Sequence, residues 1–513
     1  MFFLDHIGLG LQLVSQPSVL LLILIGTVIG ICVGAIPGLT AMMAIAMAVP
    51  ITYSLGPMQG LALLISLYVG GMTGGLVSAV LLNIPGTPSS IATTFDGYPL
   101  ALKGEPGKAL GYGITASFLG GGFSYFCLLF LAPALAEVAL SLSSFDIFAI
   151  VMCALVMIAD TSQSSLSKAL TAGCVGLFVG TVGPDPIIGV PRFDFDSPQL
   201  SGGFVEVSIL IGLFAIPQLL SDVRHAHETQ KTIDAAYRNV LPKLRELGQS
   251  AVNLIRSSFI GTLIGLVPGV GASTASLLAY NQAKLASKHP EEFGKGARDG
   301  IFASEAANNA VTGGAMIPLL TLGLPGCPAA ALLLSGLTIN NLIPGPLLFT
   351  NSPDITYGFI LAFMISNVVM VALMIILIKP FAMVVRVPKY LLIPPILAIC
   401  IIGAYVTNNR FIDIWVVFGF GLLGYWMEKH AYPLAPMVLG VILGPIAELQ
   451  LRRGLTASKG SFMPLVEQPV SLTFLIISVI ILVYPFAREH LRRKRLARSN
   501  ADGSSAGSNR GGA

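Results

Sequence analysis

Apolar residues run through this chain in long uncharged stretches separated by short polar or Pro-Gly interruptions, a pattern that predicts helices crossing a membrane. The first half offers segments 19–36, 59–82, 111–132, 147–159, 169–182 and 207–220. The second offers 253–267, 313–324, 329–342, 355–378, 391–406, 412–427, 434–443 and 470–486. Several fall short of the ~20 residues a spanning helix needs. Short apolar segments ended by Pro-Gly are expected where helices stop inside the bilayer and line a polar cavity. The predicted fold is an all-α polytopic membrane protein with about 11–12 transmembrane helices plus re-entrant or broken helices.

Composition removes the soluble alternatives. Of 513 residues, 54% are apolar and 11% charged, and mean hydropathy is +0.82; a soluble domain carries about 25% charged residues. Too little polar surface is left to cover the body in water, so the shell faces the lipid bilayer. The formal charge of +4, from 29 basic and 25 acidic residues, is not gathered on one face, which argues against nucleic acid as a partner. Cys32, Cys127, Cys153, Cys174, Cys327 and Cys400 lack any C-x-x-C spacing and read as small buried apolar residues. The first basic residue is Lys103, so the basic start of a secretory signal is missing and the N-terminus is expected to be retained.

Four regions follow: a transmembrane repeat over 1–220, a polar linker over 221–250, a second repeat with extra helices over 251–486, and a basic, then Gly/Ser-rich tail over 487–513. The tail, with Arg488, Arg492, Arg493, Lys494, Arg495 and Arg498, is expected to be disordered and cytoplasmic, and the linker cytoplasmic too. His225 and His227 in the linker lack a third ligand and read as surface histidines.

The halves echo each other. G-A-I-P-G-L-T-A from Gly34 matches G-L-V-P-G-V-G-A-S-T from Gly265, with Pro37 and Pro268 offset by 231 (268 − 37). T-G-G-L-V-S-A-V-L-L-N-I-P-G-T-P from Thr73 matches T-G-G-A-M-I-P-L-L-T-L-G-L-P-G-C-P from Thr312, with Pro85 and Pro325 offset by 240 (325 − 85). The halves are read as inverted repeats. A third echo, between 107–117 and 294–304, does not fit that register.

Each Pro-Gly pair ends a helix and frees backbone groups that need partners. In Thr87-Pro88-Ser89-Ser90 a hydroxyl precedes Pro, which fits an N-cap with Pro at the first helical position; Ser273 and Thr274 flank another break. Half-helices starting there aim free N–H groups and a positive dipole end into a cavity, where an anion is stabilised. Glu305, Asn308 and Asn309 fall at i, i+3 and i+4, gathering a carboxylate and two amides on one side of a helix. That suits a sodium ion or a proton, and equally an interfacial helix wetted on that side beside Arg298 and Asp299. Asn83 precedes the Pro85 break and is the stronger site candidate, whereas Asp96-Gly97 reads as a turn, and Asp160 and Asp185 as loop residues. No hydrolytic triad, H-E-x-x-H or Walker motif occurs, so the chain is expected to be no enzyme, to need no cofactor and to draw energy from an ion gradient. A channel would need a continuous polar ring, and a non-transporting scaffold would leave the paired breaks unexplained.

These motifs, with L-L-N-I-P-G-T-P-S-S-I-A-T-T-F-D-G-Y-P-L, E-A-A-N-N-A and L-G-L-P-G-C-P, closely resemble the large membrane subunit of the tripartite tricarboxylate transporters. The resemblance implies a bacterial inner-membrane uptake system in which a periplasmic solute-binding protein hands a di- or tricarboxylate such as citrate to a large and a small transmembrane subunit. Sodium or protons would be the coupling ion. The alternative is an anion channel, or an ion-coupled transporter working without a binding protein. Carried onto this chain, the family's motif places substrate binding on Pro37, Gly38, Thr40, Asn83, Pro85, Gly86, Thr87, Pro88, Ser89 and Ser90. In the second half it falls on Pro268, Gly269, Pro325 and Gly326, beside which Gly271, Ser273 and Thr274 are read from the third break as substrate-binding too, and on Glu305, Asn308 and Asn309, to which we assign the coupling ion, with no other metal expected. Cys327 stands where the first half has Thr87.

Overall fold

The computed structural model describes residues 2–161, 165–224, 240–385 and 387–484; the two linker histidines and the basic tail lie outside them. The first half contains α1 (Phe2–Val14), α2 (Pro17–Ala35), α3 (Ala41–Thr52), α4 (Pro57–Leu82), α5 (Ile91–Leu102), α6 (Pro106–Leu140), α7 (Ser144–Thr161), α8 (Leu166–Val179) and α9 (Glu206–Arg224). The second contains α10 (Leu244–Leu266), α11 (Gly271–Ala286), α12 (Arg298–Leu322), α13 (Pro328–Ile339), α14 (Leu348–Asn351), α15 (Pro353–Ile376), α16 (Ile378–Val384), α17 (Lys389–Asn408), α18 (Phe411–Lys429), α19 (Leu434–Ala457) and α20 (Pro464–Glu467). A last apolar helix covers Pro469–Tyr484.

Among the described residues eight helices are long and apolar enough to cross a membrane: α2, α4, α6, α9, α15, α17, α18 and α19. The eight are fewer than the transmembrane helices, about 11–12, that the apolar runs predict, although α10 and α12, at 23 and 25 residues, also have the length to cross. Two reasons are visible. Segments such as α3, α8 and α13 are real but short, at 12, 14 and 12 residues. The apolar segments 253–267 and 313–324 are only the later parts of α10 and α12, because charged and amide residues interrupt the hydropathy without interrupting the helix. Polar residues 93–98 likewise fold as the middle of α5 and not as the expected turn at Asp96-Gly97. Asp160, expected in a loop, falls within α7.

Small residues set the central packing. A Cβ on Gly30 would lie 2.6 Å from the Leu67 carbonyl oxygen, and one on Gly70 2.5 Å from that of Thr27, so the backbones of α2 and α4 touch. Gly26 meets Leu63, Gly30 meets Leu67 and Gly34 meets Gly71, a constant step that makes α2 and α4 parallel. Gln59 at the head of α4 donates to Ser18 at the head of α2 (3.0 Å), so α3 carries the chain back between them. In the second half Gly261 meets Ala307 and Gly265 meets Val311, again parallel, and α11 makes the return. At 16 residues against 12 in α3, α11 and its following loop absorb the difference between the offsets of 231 and 240. The third echo has a spatial meaning: its segments begin α6 and α12, which lie side by side and parallel, with Gly120 on Ala306 and Gly313 on Ser124.

One face is clamped by charge. Arg192 grips Glu448 with both guanidinium nitrogens (2.6 and 3.0 Å), and Asp185, bonded to Arg452, accepts the N–H groups of Ile187 and Ile188 (both 2.9 Å). The Ile188 amide, then Arg452, and to a lesser degree the Ile187 amide hold the Asp185 carboxyl well below the usual carboxylate range. The clamp joins the loop ahead of α9 to the C-terminal end of α19. Phe145 on Gly454, and Ser471 N–H on Asp146 (2.9 Å), put the start of Pro469–Tyr484 on the same face. Replacing Gly30 by Val is predicted to lower stability by about 1–3 kcal/mol through overpacking against α4. Gly419→Ala, at an open position on α18, should leave the detergent melting temperature unchanged or raised.

Candidate functional site

The four Pro-Gly breaks meet. A cavity of about 220 Å³ is lined by Thr40 and Met42 after the first break, Thr87, Pro88 and Ser89 after the second, Gly269, Gly271, Ala272 and Ser273 at the third, and Cys327, Pro328 and Ala329 at the fourth. Tyr68, Met72 and Ala435 complete the wall. The turns depend on backbone that side chains resist: φ is +99° at Gly38 and +85° at Gly269. Gly86 lies against the Gly34 carbonyl and Gly326 against that of Gly265, the same contact in both halves, so each half presses its two breaks together. In the second half the Gly269 N–H also donates to the Gly326 carbonyl at 2.8 Å.

Each break opens a helix toward this space. Thr40 caps α3, its Oγ1 accepting the Met43 N–H (3.2 Å). Thr87 and Cys327 hold extended N-cap backbone, with Pro88 opening the 3-10 turn Pro88–Ser90 that leads into α5 and Pro328 opening α13. The expected side-chain cap at Thr87 is not made. Its hydroxyl lies 3.0 Å from those of both Ser89 and Ser90. At the equivalent place Cys327 Sγ is 3.4 Å from the Tyr68 hydroxyl. Among the described residues the cavity lining contains no Lys, Arg, His, Asp or Glu. Positive potential there comes from four helix N-termini, each equivalent to roughly half an elementary charge, and the hydroxyls of Thr40, Thr87, Ser89 and Ser273 supply directional donors.

Of the remaining predicted residues, Pro37, Pro85, Gly86, Ser90, Pro268, Thr274, Pro325 and Gly326 belong to the breaks or the helix starts without lining the cavity. Gly38 packs against Gln218, Asp222 and Lys389, and Lys389 Nζ bonds Asp222 Oδ1 at 2.6 Å. Asn83 is exposed and in left-handed conformation (φ 59°), ending α4 as Gly323 (φ 70°) ends α12. Asp96 is buried, and its Oδ1 accepts the N–H groups of Gly294, Gly296 and Ala297 (2.9, 2.8 and 2.7 Å), tying α5 to the loop before α12.

A larger vestibule of about 530 Å³ shares Thr40, Met42, Pro88, Pro328 and Ala435 with the cavity and is walled by Leu213, Phe214 and Gln218 of α9, Glu428 and Tyr432. Lys168 fixes its rim, donating to the His430 carbonyl (2.6 Å) and lying over the Tyr432 ring (5.2 Å).

Glu305, Asn308 and Asn309 come together as predicted from their spacing, but not at an interface. All three are buried, which removes the reading of a wetted helix side. Thr93 donates to Glu305 Oε1 (2.5 Å) and Ser117 to Oε2 (3.2 Å); Asn309 donates to Ser117 (2.8 Å) and accepts from Thr73 (2.9 Å). The sequence reading missed Thr73, Thr93 and Ser117. The signal for Ser117 was present, since the third echo aligns it with Ser304, whose hydroxyl is 3.1 Å from that of Thr93.

Residues 20–439 match the Tripartite tricarboxylate transporter TctA family. The chain belongs to that family. It is accordingly a multi-pass membrane protein of a transporter family and not an enzyme. It is 33% identical over 491 residues to the "Uncharacterized 52.8 kDa protein in TAR-I ttuC' 3'region" of Agrobacterium vitis, covering 95% of this chain and 98% of that one. It is also 36% identical over 231 residues to the "Uncharacterized protein in TAR-II ttuC' 3'region" of the same organism, 44% of this chain and 96% of that one. No solved structure matches.

With the other five cysteines replaced, Cys327 is predicted to react with a small water-soluble thiol reagent through the vestibule. Cys400, buried outside the cavity, left as the single cysteine should stay unmodified; mass spectrometry of the intact chain checks both.

Proposed function

We propose that this TctA-family chain is the large subunit of a binding-protein-dependent secondary transporter that imports an organic carboxylate, with the four-break cavity as the substrate site. The observation that carries the reading is the convergence of four helix starts and the hydroxyls of Thr40, Thr87, Ser89 and Ser273 on one cavity whose described lining has no charged side chain. Such a site stabilises a carboxylate by oriented dipoles without fixing it to a cation, so the anion can also leave. Substrate-binding roles fall on Thr40, Thr87, Ser89 and Ser273 through hydroxyls, and on Gly269 and Gly271 through backbone.

Glu305 is the candidate for coupling. A fully buried carboxylate with no cationic side chain bonded to it among the described residues is costly, so it calls for a proton or a bound sodium ion. The linker and the tail both follow helices that leave the Asp185 clamp face. Their basic residues favour the cytoplasm, which makes the clamp face the periplasmic one, where a solute-binding protein delivers its load beside the small transmembrane subunit.

Radiolabelled di- and tricarboxylates presented to proteoliposomes holding this chain, its small subunit and their binding protein should accumulate only with a sodium or proton gradient. Thr87→Val and Ser89→Ala should each reduce uptake about fivefold, the loss of one hydrogen bond, with membrane insertion intact. Uptake at the native rate by both variants would move the site elsewhere.

A further inference from the structure

The internal register makes the surroundings of Glu305 asymmetric. The offset of 240 that aligns Pro85 with Pro325 also superposes the capping residues Asn83 and Gly323, the close contacts of Gly86 and Gly326, and the contact of Gly30 on Leu67 with that of Gly261 on Ala307, so it is the register of the structure, one residue from the offset of 239 (312 − 73) at which the T-G-G motifs match. Applied to the polar cluster, it sets Glu305 opposite Ile65 (305 − 240), Asn309 opposite Val69 (309 − 240) and Thr93 opposite Leu333 (93 + 240). Ile65, Val69 and Leu333 are as buried as their polar counterparts, at 0%, 1% and 0% exposure. Duplication has supplied the scaffold twice and the carboxylate once.

The polar copy is also unfinished. Asn308 is fully buried, its Oδ1 has no hydrogen-bond partner among the described residues, and its Nδ2 reaches both Glu305 Oε2 and the Met72 carbonyl only at 3.5 Å. Turning that amide over would aim an oxygen, in place of two N–H bonds, at a spot already faced by a carboxylate and a main-chain carbonyl. Three oxygens, one of them charged, suit a hard monovalent cation. Met72 belongs at once to this cluster and to the cavity wall.

We propose that Glu305 Oε2, the turned amide oxygen of Asn308 and the Met72 carbonyl hold a single sodium ion behind the cavity wall, and that the duplicated half holds none. The proposal deepens the ion-coupled reading above and rests on it. Coupling then has a simple electrostatic origin. With neither proton nor sodium bound, Glu305 is a bare negative charge close to a cavity meant for an anion. With the ion bound, the cluster is neutral and the repulsion is gone. Loading by cation before carboxylate follows.

Radioactive sodium titrated onto the purified full-length chain in detergent, with no carboxylate present, tests this directly. One sodium per chain is expected, with Glu305→Gln and Asn308→Ala each weakening binding at least tenfold. A melting series separates an ion ligand from a structural residue. Sodium should raise the melting temperature of the native chain, whereas Glu305→Gln should melt independently of sodium and no lower than the sodium-free native chain, because its buried charge has been removed. Two sodium ions per chain, native-strength binding by Glu305→Gln, or a Glu305→Gln chain that melts below the sodium-free native protein would each overturn the proposal. Because carboxylate is absent, a failure here leaves the carboxylate site standing, and failed carboxylate uptake with intact sodium binding overturns only the substrate reading.

Discussion

A backbone amide released inside lipid has no water to turn to, and this requirement organises the whole molecule. Each Pro-Gly break here frees such groups, and a single break facing acyl chains would be prohibitively unfavourable. Bringing four breaks together solves the problem collectively. Gly34, Gly86, Gly265 and Gly326 let the broken segments press on one another, and the helix starts that remain open into a shared cavity. The proposed substrate site is thus the residue of a hydrogen-bonding constraint: what the scaffold cannot satisfy internally is what it would offer to an anion.

The surrounding helices follow from that need. The segments that follow the breaks, such as α3 and α13 at 12 residues, lack the length to cross alone, and the helices that lead into the breaks hold each other in pairs, α2 on α4 and α10 on α12, backbone to backbone along glycine and alanine. The peripheral helices differ between halves. Gly38 is braced by the Lys389–Asp222 ion pair, whereas Gly269 packs on Ile158. An ion pair and an apolar contact have different strengths and different responses to water, so the two ends of the cavity are not equally easy to open. Cys327 with Tyr68, in place of a hydroxyl cluster, extends the inequality to the cavity itself.

Much of this was legible in the sequence because breaks carry a local signature. Proline, glycine and a following hydroxyl mark Thr87-Pro88-Ser89 as a helix start whatever surrounds it. The all-helical class and the polar side of α12 were legible for the same reason, each being a matter of spacing along one helix. What escaped was whatever depends on a neighbour. Asn83 resembled a ligand, yet its αL backbone serves to end α4. Asp96-Gly97 resembled a turn, yet three N–H groups from a distant loop make it a buried tie. Hydropathy also kept only the later part of α12, because Glu305 and its amides lower it when their partners Thr73, Thr93 and Ser117 are out of view.

The central claim is that breaks far apart in sequence share one water-accessible space, and proximity in the native membrane tests it most directly. In a chain freed of its own cysteines, Ser89→Cys and Ser273→Cys together should be bridged by a short bifunctional maleimide, with carboxylate slowing the reaction. If both cysteines react singly but never bridge within one chain, the breaks do not meet and the account is contradicted.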